Sequence, residues 1–213
     1  MTTTPLQLDV FVDVVCPWCL LGNEQLERVL AELGVPVSVA HHPFLLDPTT
    51  PPEGTDIPAM LTRKYGPDFR RIWTRLEERA REIGLDLDMT KQRLSYPTER
   101  AHTLIRHAAR KAPDGRAQRA LVRDLLKANF LDARNVSDVD VLAEISGPHG
   151  FSPDEVARLV TDPAELAETR ADAERATASG IHGVPFVIFN RQFAVSGAQP
   201  EAVFRSALQQ ALA

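Results

Sequence analysis

The sequence lacks a basic cluster, a long apolar run and an apolar leader at its start. Its net charge is −5 and its lysines and arginines are scattered, so nothing indicates a nucleic-acid partner, which would require a basic face. No uncharged apolar run approaches about 18 residues, so we expect no membrane span. Residues 1–5 carry neither a basic region nor an apolar run, so we expect no secretory signal peptide and a cytoplasmic location.

Cysteine is also scarce, and the only two cysteines, Cys16 and Cys19, lie three positions apart. Two cysteines placed at random in such a chain would rarely have this spacing, so the pair needs an explanation. A structural disulfide is a poor explanation, because so short a loop stabilises little and cytosolic thiols stay reduced. A zinc half-site would need two more ligands, and no histidine has a matching spacing. Buried core cysteines remain an alternative, and redox chemistry is the leading hypothesis.

The hydrophobic pattern predicts a β-α-β unit at the beginning of the chain. Residues 8–14 alternate with period two and predict a strand that ends at Cys16. Residues 17–33 change to helical spacing, and Gly34 ends this helix. Residues 36–41 predict a second strand. The CxxC pair therefore lies where the first strand passes into the first helix.

The rest of the chain predicts helices and then a return to strands. Several prolines between residues 43 and 58 predict a loop and a boundary, and residues 57–180 are predicted to be helical throughout. Ser152 and Asp162 are each followed by a proline, which is typical of a helix start.

Residues 185–189 and 192–195 predict two strands joined by a tight turn at Asn190-Arg191. A final helix is predicted to open at Pro200. We expect one face of that helix to carry Val203, Phe204, Ala207, Leu208 and Ala211.

Four stretches of the sequence together resemble a known family. They are residues 13–22 with the motif Cys16-Pro17-Trp18-Cys19, residues 42–48, residues 180–189 with Gly183-Val184-Pro185-Phe186, and residues 195–201. In this order they resemble the DsbA-like branch of the thioredoxin fold, in particular the FrnE-like group, which is similar to 2-hydroxychromene-2-carboxylate isomerases. The resemblance spans nearly the whole chain.

The resemblance implies an α/β thioredoxin fold with a large all-helical insertion. Residues 1–50 and 165–213 would form the thioredoxin-fold domain, and residues 51–164 the inserted helical domain. It implies a protein disulfide oxidoreductase or isomerase with no cofactor or metal, and with glutathione as a candidate co-substrate. Its partner would be a disulfide-containing or dithiol protein or a small-molecule thiol, and related proteins make a homodimer conceivable.

The residue types at the CxxC pair suit thiol–disulfide exchange. Cys16 would lie at a helix N-terminus, where free backbone N–H groups and the helix dipole favour the thiolate, which is the attacking species. Pro17 costs no hydrogen bond in the first turn. Cys19, one turn later, would resolve the mixed disulfide, and Trp18 would offer an apolar contact to the substrate.

The resemblance also implies that Pro185 is cis and faces the CxxC pair. An X–Pro bond adopts the cis form at modest cost, so a fold can hold it there; the alternative is an ordinary proline at a strand start. Val184 would present its backbone groups to an extended substrate, as an added strand would pair.

Several other polar residues are candidates for a role near the sulfurs. Asp13 could be a buried acid that handles protons, or an outward strand residue. His182 could assist proton transfer, or face solvent in a loop. His41 and His42 either end the second strand near the site or simply cap it, and His102 is interpreted as a core or interlobe histidine.

Three functions remain open from the sequence. The first is a dithiol oxidoreductase or isomerase that uses Cys16 and Cys19. The second is a glutathione-dependent isomerase or transferase of small aromatic molecules; such relatives usually lack the paired cysteines, so the presence of Cys19 counts against it. The third is a non-catalytic, chaperone-like binding module that uses a groove beside Val184 and Pro185.

Overall fold

A four-stranded sheet organises the two ends of the chain in this computed structural model, which describes residues 5–112 and 114–212. The strand order is β2-β1-β5-β6; β2 runs parallel to β1, whereas β5 is antiparallel to β1 and β6 is antiparallel to β5. The strands are β1 (Leu6–Val12), β2 (Val37–Pro43), β5 (Phe186–Phe189) and β6 (Phe193–Ser196).

The first helix, α1 (Pro17–Glu32), follows β1 as the periodicity predicts. Alternate residues of β1 are buried, which is the pattern of a strand inside a sheet. The predicted strand extended too far towards Cys16, since β1 runs from Leu6 to Val12. The amide of Cys16 donates to the carbonyl of Asp13 over 3.0 Å, and this local bond turns the chain before the helix starts.

The middle of the chain is mostly helical, and both predicted helix starts are confirmed. The Ser152 hydroxyl accepts from the Glu155 amide, and the Asp162 carboxylate accepts from the Ala164 amide. The helices are α2 (Ile57–Tyr65), α3 (Arg70–Glu82), α4 (Glu99–Ala108), α5 (Arg116–Phe130), α6 (Val139–Ser146), α7 (Pro153–Thr161) and α8 (Pro163–Ala178), with 3-10 turns at Pro67–Phe69 and Gly147–His149.

A second, two-stranded sheet lies among these helices. It pairs β3 (Thr55–Asp56) with β4 (Leu94–Ser95) in antiparallel fashion. The prediction of helix throughout residues 57–180 was therefore wrong at β4. Each strand has two residues and its partner is distant in sequence, so no local alternation marks either of them.

The chain ends in the predicted hairpin and helix. Asn190 and Arg191 both have positive φ, at 47° and 57°, as a two-residue turn between antiparallel strands requires. The helix α9 (Glu201–Leu212) buries Phe204 against the rest of the protein, whereas Val203, which the periodicity places on the same face, is 39% exposed. The packed face of α9 is narrower than the periodicity suggested.

Most of the apolar core is one continuous cluster, and it connects the sheet with the helices. It runs from Val10 in β1 through Leu26 in α1 to Leu104 in α4 and Leu121 in α5. A smaller cluster of Phe44, Ala176 and Ile181 packs with the partly buried Phe11, Val184 and Phe186. The proposed division into residues 1–50 and 165–213 against residues 51–164 stays a prediction.

Gly115 starts α5 at a point where the helix meets the backbone of β2. Its φ is +76°, and a Cβ atom at this position would lie 2.2 Å from the carbonyl oxygen of Val39. No side chain fits there, so α5 can approach the sheet only because residue 115 is glycine.

We therefore expect Gly115→Ala to lower the free energy of unfolding by about 2–4 kcal/mol, which combines left-handed backbone strain with overpacking. The matched control is Gly150→Ala, because Gly150 has a φ of +86° but open space around it. The control should lose only the strain, about 1–2 kcal/mol. Urea unfolding of the three proteins measures both losses, and equal losses would contradict the steric explanation.

Candidate active site

Cys16 stands at the N-terminus of α1, as the sequence predicts. It is the N-cap residue, and its carbonyl accepts from the amide of Cys19 over 2.9 Å and from that of Leu20 over 3.4 Å. Pro17 occupies the first turn, where no N–H is needed. The residues of this turn carry no charge, so no side chain within the turn opposes the helix dipole.

The backbone before β5 lies against Cys16. The Val184–Pro185 peptide bond is cis, as the resemblance implies, and the Cys16 thiol donates to the Val184 carbonyl oxygen over 3.5 Å. Pro185 is buried and Val184 is partly buried. The structure thus brings together the predicted pair Cys16 and Cys19 and the predicted pair Val184 and Pro185.

Gly22 allows this loop to approach α1, and the sequence reasoning gave it no such role. A Cβ atom on Gly22 would lie 2.8 Å from Cγ of Pro185 and 3.4 Å from Cα of Ala198. A glycine inside a helix is unfavourable and often marks a close backbone approach. A glycine within the predicted helix could therefore have indicated a close contact. The sequence could not show which residues make it, because Pro185 and Ala198 are far away along the chain.

The two cysteines differ in their environments. Cys16 is 4% exposed and Cys19 is fully buried. Burial raises the pKa of the Cys19 thiol well above its ordinary value, and the hydrogen bond and charge of Cys16 and the negative charge of Asp13 raise it further. A hydrogen bond from the Asp13 backbone acts in the opposite direction without reversing the shift. Cys19 is therefore the protonated partner of the pair.

Asp13 is a buried acid beside this thiol rather than an outward strand residue. It is 1% exposed, one carboxylate oxygen accepts from the Leu46 amide over 2.8 Å, and the other lies 3.5 Å from the Val15 amide. The second oxygen is also 3.4 Å from Nε2 of His102. Donors from three parts of the chain surround one carboxylate, which sequence reasoning could not see.

The histidines considered in the sequence divide into buried and accessible ones. His41 and His102 are buried, whereas His42 is partly buried, stacks on Phe11 and bonds Asp9 through Nε2 over 2.8 Å. His41 and His42 lie within β2, so neither of them caps it. His182 is exposed in the loop before Val184, and its role in proton transfer stays a prediction.

Pro17 and Trp18, the candidate substrate contacts beside Cys16, are accessible to solvent in part. Both side chains are partly buried, and Trp18 packs in part against the main core. No group of three histidine, cysteine or acidic side chains among residues 5–112 and 114–212 could hold a metal ion. Within the same residues, no helix is long and apolar enough to cross a membrane.

In the comparison with known proteins, one protein family matches almost the whole chain. The family model of the DSBA-like thioredoxin domain matches residues 7–209. A solved structure of a probable DsbA oxidoreductase from Streptomyces coelicolor is 34% identical with a TM-score of 0.83, covering 97% of this chain and 90% of that one. None of the curated proteins matches this chain.

Two more distant structures share the fold. The cytosolic disulfide reductase DsbM from Pseudomonas aeruginosa, solved with GSH, is 19% identical with a TM-score of 0.65, covering 97% of this chain and 99% of that one. A 2-hydroxychromene-2-carboxylate isomerase is 14% identical with a TM-score of 0.72, covering 96% and 95%. The predicted fold class, a DsbA-like thioredoxin fold with a helical insertion, is confirmed.

The unequal environments predict selective alkylation of the reduced protein. Iodoacetamide at pH 7 should modify Cys16 at least about tenfold faster than Cys19, because each unit by which a thiol pKa is raised lowers its thiolate fraction about tenfold. Peptide mass spectrometry after a short pulse measures both rates, and the urea-unfolded protein is the control, in which the rates should converge. Equal labelling of the folded protein would contradict the assignment.

His41 should make stability depend on pH. Burial lowers its pKa to about 3, and the neighbouring groups His42, Arg119 and His102 lower it further. Below about pH 6.5 the unfolded chain takes up a proton that the folded chain refuses, so stability falls as the pH falls, by up to about 1.4 kcal/mol per pH unit.

His41→Leu tests this, because neither ring nitrogen of His41 has a hydrogen-bond partner in the described chain, while its backbone bonds to Gln118 remain. Urea unfolding between pH 4.5 and 8 should show a weaker loss of stability at acid pH in the variant. Parallel curves for the two proteins would disprove the role of His41, since all other titrating groups are shared.

Proposed function

The chain belongs to the DSBA-like thioredoxin domain family, and on this basis we propose that it is a thiol–disulfide oxidoreductase that works through Cys16 and Cys19. One observation carries the proposal: the thiol of Cys16, at the N-terminus of α1, donates a hydrogen bond over 3.5 Å to the carbonyl of Val184, the residue before the cis proline. The reactive sulfur lies where backbone dipoles favour its negative form.

In the first step, the Cys16 thiolate attacks one sulfur of a substrate disulfide. The Cys16–substrate bond forms, the substrate S–S bond breaks, and the departing thiolate takes a proton from water. The helix N-terminus would stabilise the Cys16 thiolate. Pro17 and Trp18 are uncharged, so neither of them supplies a neighbouring cation.

In the second step, Cys19 resolves the mixed disulfide. Its thiol gives a proton to Asp13, its sulfur attacks Cys16, and the second substrate thiolate leaves and is protonated by water. The protein loses two electrons and the substrate gains them; the reverse sequence oxidises a substrate dithiol. Asp13 suits this step because its charge already acts on the buried Cys19. His182, which is exposed, would serve the departing thiolate.

The substrate would bind across Trp18 and the loop at Val184. Trp18 and Pro17 supply an apolar surface next to the reactive sulfur, and Val184 supplies backbone groups for an extended peptide. We propose a disulfide-containing or dithiol protein as the partner, with glutathione as co-substrate and a cytoplasmic location. The structure of the distant DsbM with GSH supports the glutathione part of this proposal.

The test is the equilibrium of the protein with defined ratios of reduced to oxidised glutathione, read by acid quenching, thiol alkylation and mass spectrometry. We expect a reversible two-electron transition to a Cys16–Cys19 disulfide, whose midpoint would distinguish an oxidant from a reductant. Cys16→Ser should reduce disulfide exchange to the uncatalysed rate, and Cys19→Ser should accumulate the Cys16–glutathione mixed disulfide.

The two alternatives give different outcomes in the same experiment. No intramolecular disulfide at any ratio would overturn the proposal. If Cys19→Ser then kept full activity on a small aromatic substrate with glutathione, the chain would be a glutathione-dependent isomerase or transferase. If a double cysteine variant still protected an unfolded client, it would be a binding module.

A further inference from the structure

The proton of Cys19 has no direct path to water. The side chain is fully buried, and the two groups whose charges act on it are Cys16 and Asp13. In the resolving step Cys16 is already bonded to the substrate, so it cannot take the proton. The step therefore depends on Asp13 being ionised at the moment when Cys19 must lose its proton.

A buried carboxylate remains ionised only when hydrogen-bond donors replace the lost water. The Leu46 amide supplies one good bond at 2.8 Å, and the Val15 amide lies at the limit of bonding distance. The donor that a side chain supplies is Nε2 of His102, 3.4 Å from Oδ1. His102 belongs to α4, which lies in the helical part of the chain and not beside the CxxC pair in sequence.

The surroundings of His102 fix which of its nitrogens carries a proton. The ring is fully buried, and Nδ1 has no partner within the described residues. A doubly protonated ring would leave a buried N–H without an acceptor, which is costly. The neutral ring with its proton on Nε2 donates to Asp13 and leaves only a lone pair unpaired.

Among the described residues, Asp13 alone is hydrogen-bonded to the His102 ring. On β2 the facing group is His41, which is buried and neutral. Among the charged groups of the other elements that pack against α4, Arg119 of α5 pairs with Glu27, Glu155 of α7 with Lys111, and Glu165 of α8 with Arg106 and His107. Asp13 is thus the charged group in hydrogen-bond contact with the His102 ring.

We propose that His102 is a positioning residue for the second step of the proposed function: its Nε2–H holds the Asp13 carboxylate where it can accept the Cys19 proton, and this sets the rate at which Cys19 resolves the mixed disulfide. His102 touches neither sulfur nor substrate. It acts only through the Asp13 carboxylate, and it makes the dithiol depend on a helix of the insertion.

The test separates the two half-reactions. Attack by Cys16 on oxidised glutathione is timed in the Cys19→Ser background, and resolution is timed from the decay of the Cys16–glutathione adduct in the full protein, both between pH 5.5 and 9. His102→Leu removes the donor. His102→Gln is the conservative control, because its amide nitrogen can take the place of Nε2 and donate to Asp13.

We expect His102→Leu to slow resolution about tenfold at neutral pH, since a charge-assisted hydrogen bond is worth at least that much. The rate of attack should not change, and His102→Gln should keep a near wild-type profile. Equal slowing of both half-reactions would indicate a merely structural role, and an unchanged profile for resolution would also overturn the proposal.

A readout on the unaltered protein does not depend on the folding of a variant. Nitrogen-15 NMR of the histidine rings at pH 7 should show His102 as the neutral tautomer protonated on Nε2, and a ring protonated on Nδ1 would contradict the inference. The wild-type protein also separates the two proposals. If it never resolves the adduct, the dithiol function itself fails; if it does so and His102→Leu behaves alike, only the role of His102 fails.

Discussion

The antiparallel pairing of β5 with β1 brings the reactive sulfur and the cis-proline loop together. Phe11 pairs with Phe186, so the chain that leaves β1 and the chain that enters β5 meet at the same end of the sheet. The parallel pairing of Val12 with Pro43 brings the segment after β2 to the same end. The contacts of Cys16 with Val184 and of Asp13 with Leu46 therefore depend on strand register, and a slip of one residue would break them.

In the proposed mechanism the two sulfurs would divide their tasks, because the helix turns between them. Cys16 caps the helix next to Val184, whereas Cys19 points into the core beside Asp13. A nucleophile for an external disulfide needs access, but a resolving thiol that attacks an adjacent sulfur does not. The same burial that keeps Cys19 from reacting with other molecules makes it depend on an internal proton acceptor.

Much of the sheet and the first helix could be predicted, because the periodicity of residues 8–14, 17–33 and 185–195 reflects burial within a single element. The CxxC pair is a local motif in the sequence, and the family resemblance implied the cis proline. Even the turn at Asn190 was marked by its residue type, although nothing in Arg191 announces its positive φ.

The features that escaped prediction are contacts between distant segments. The short sheet of β3 and β4 pairs two residues with two others, so it leaves no pattern. The requirement for glycine at position 115 comes from the carbonyl of Val39, and the hydrogen-bond contacts of the Asp13 carboxylate come from Leu46 and His102. Such residues look ordinary in the sequence because their partners are unknown until the chain has folded.

The separation of 168 residues between Cys16 and Val184 has a consequence for synthesis of the protein. A ribosome makes the helix that carries both cysteines well before β5, and contacts that close so long a loop form late. While the intervening residues are being made, Cys16 therefore lacks its contact with Val184. During this time the cysteines of the nascent chain are accessible to small disulfides. The folded structure protects them only after β5 has been made.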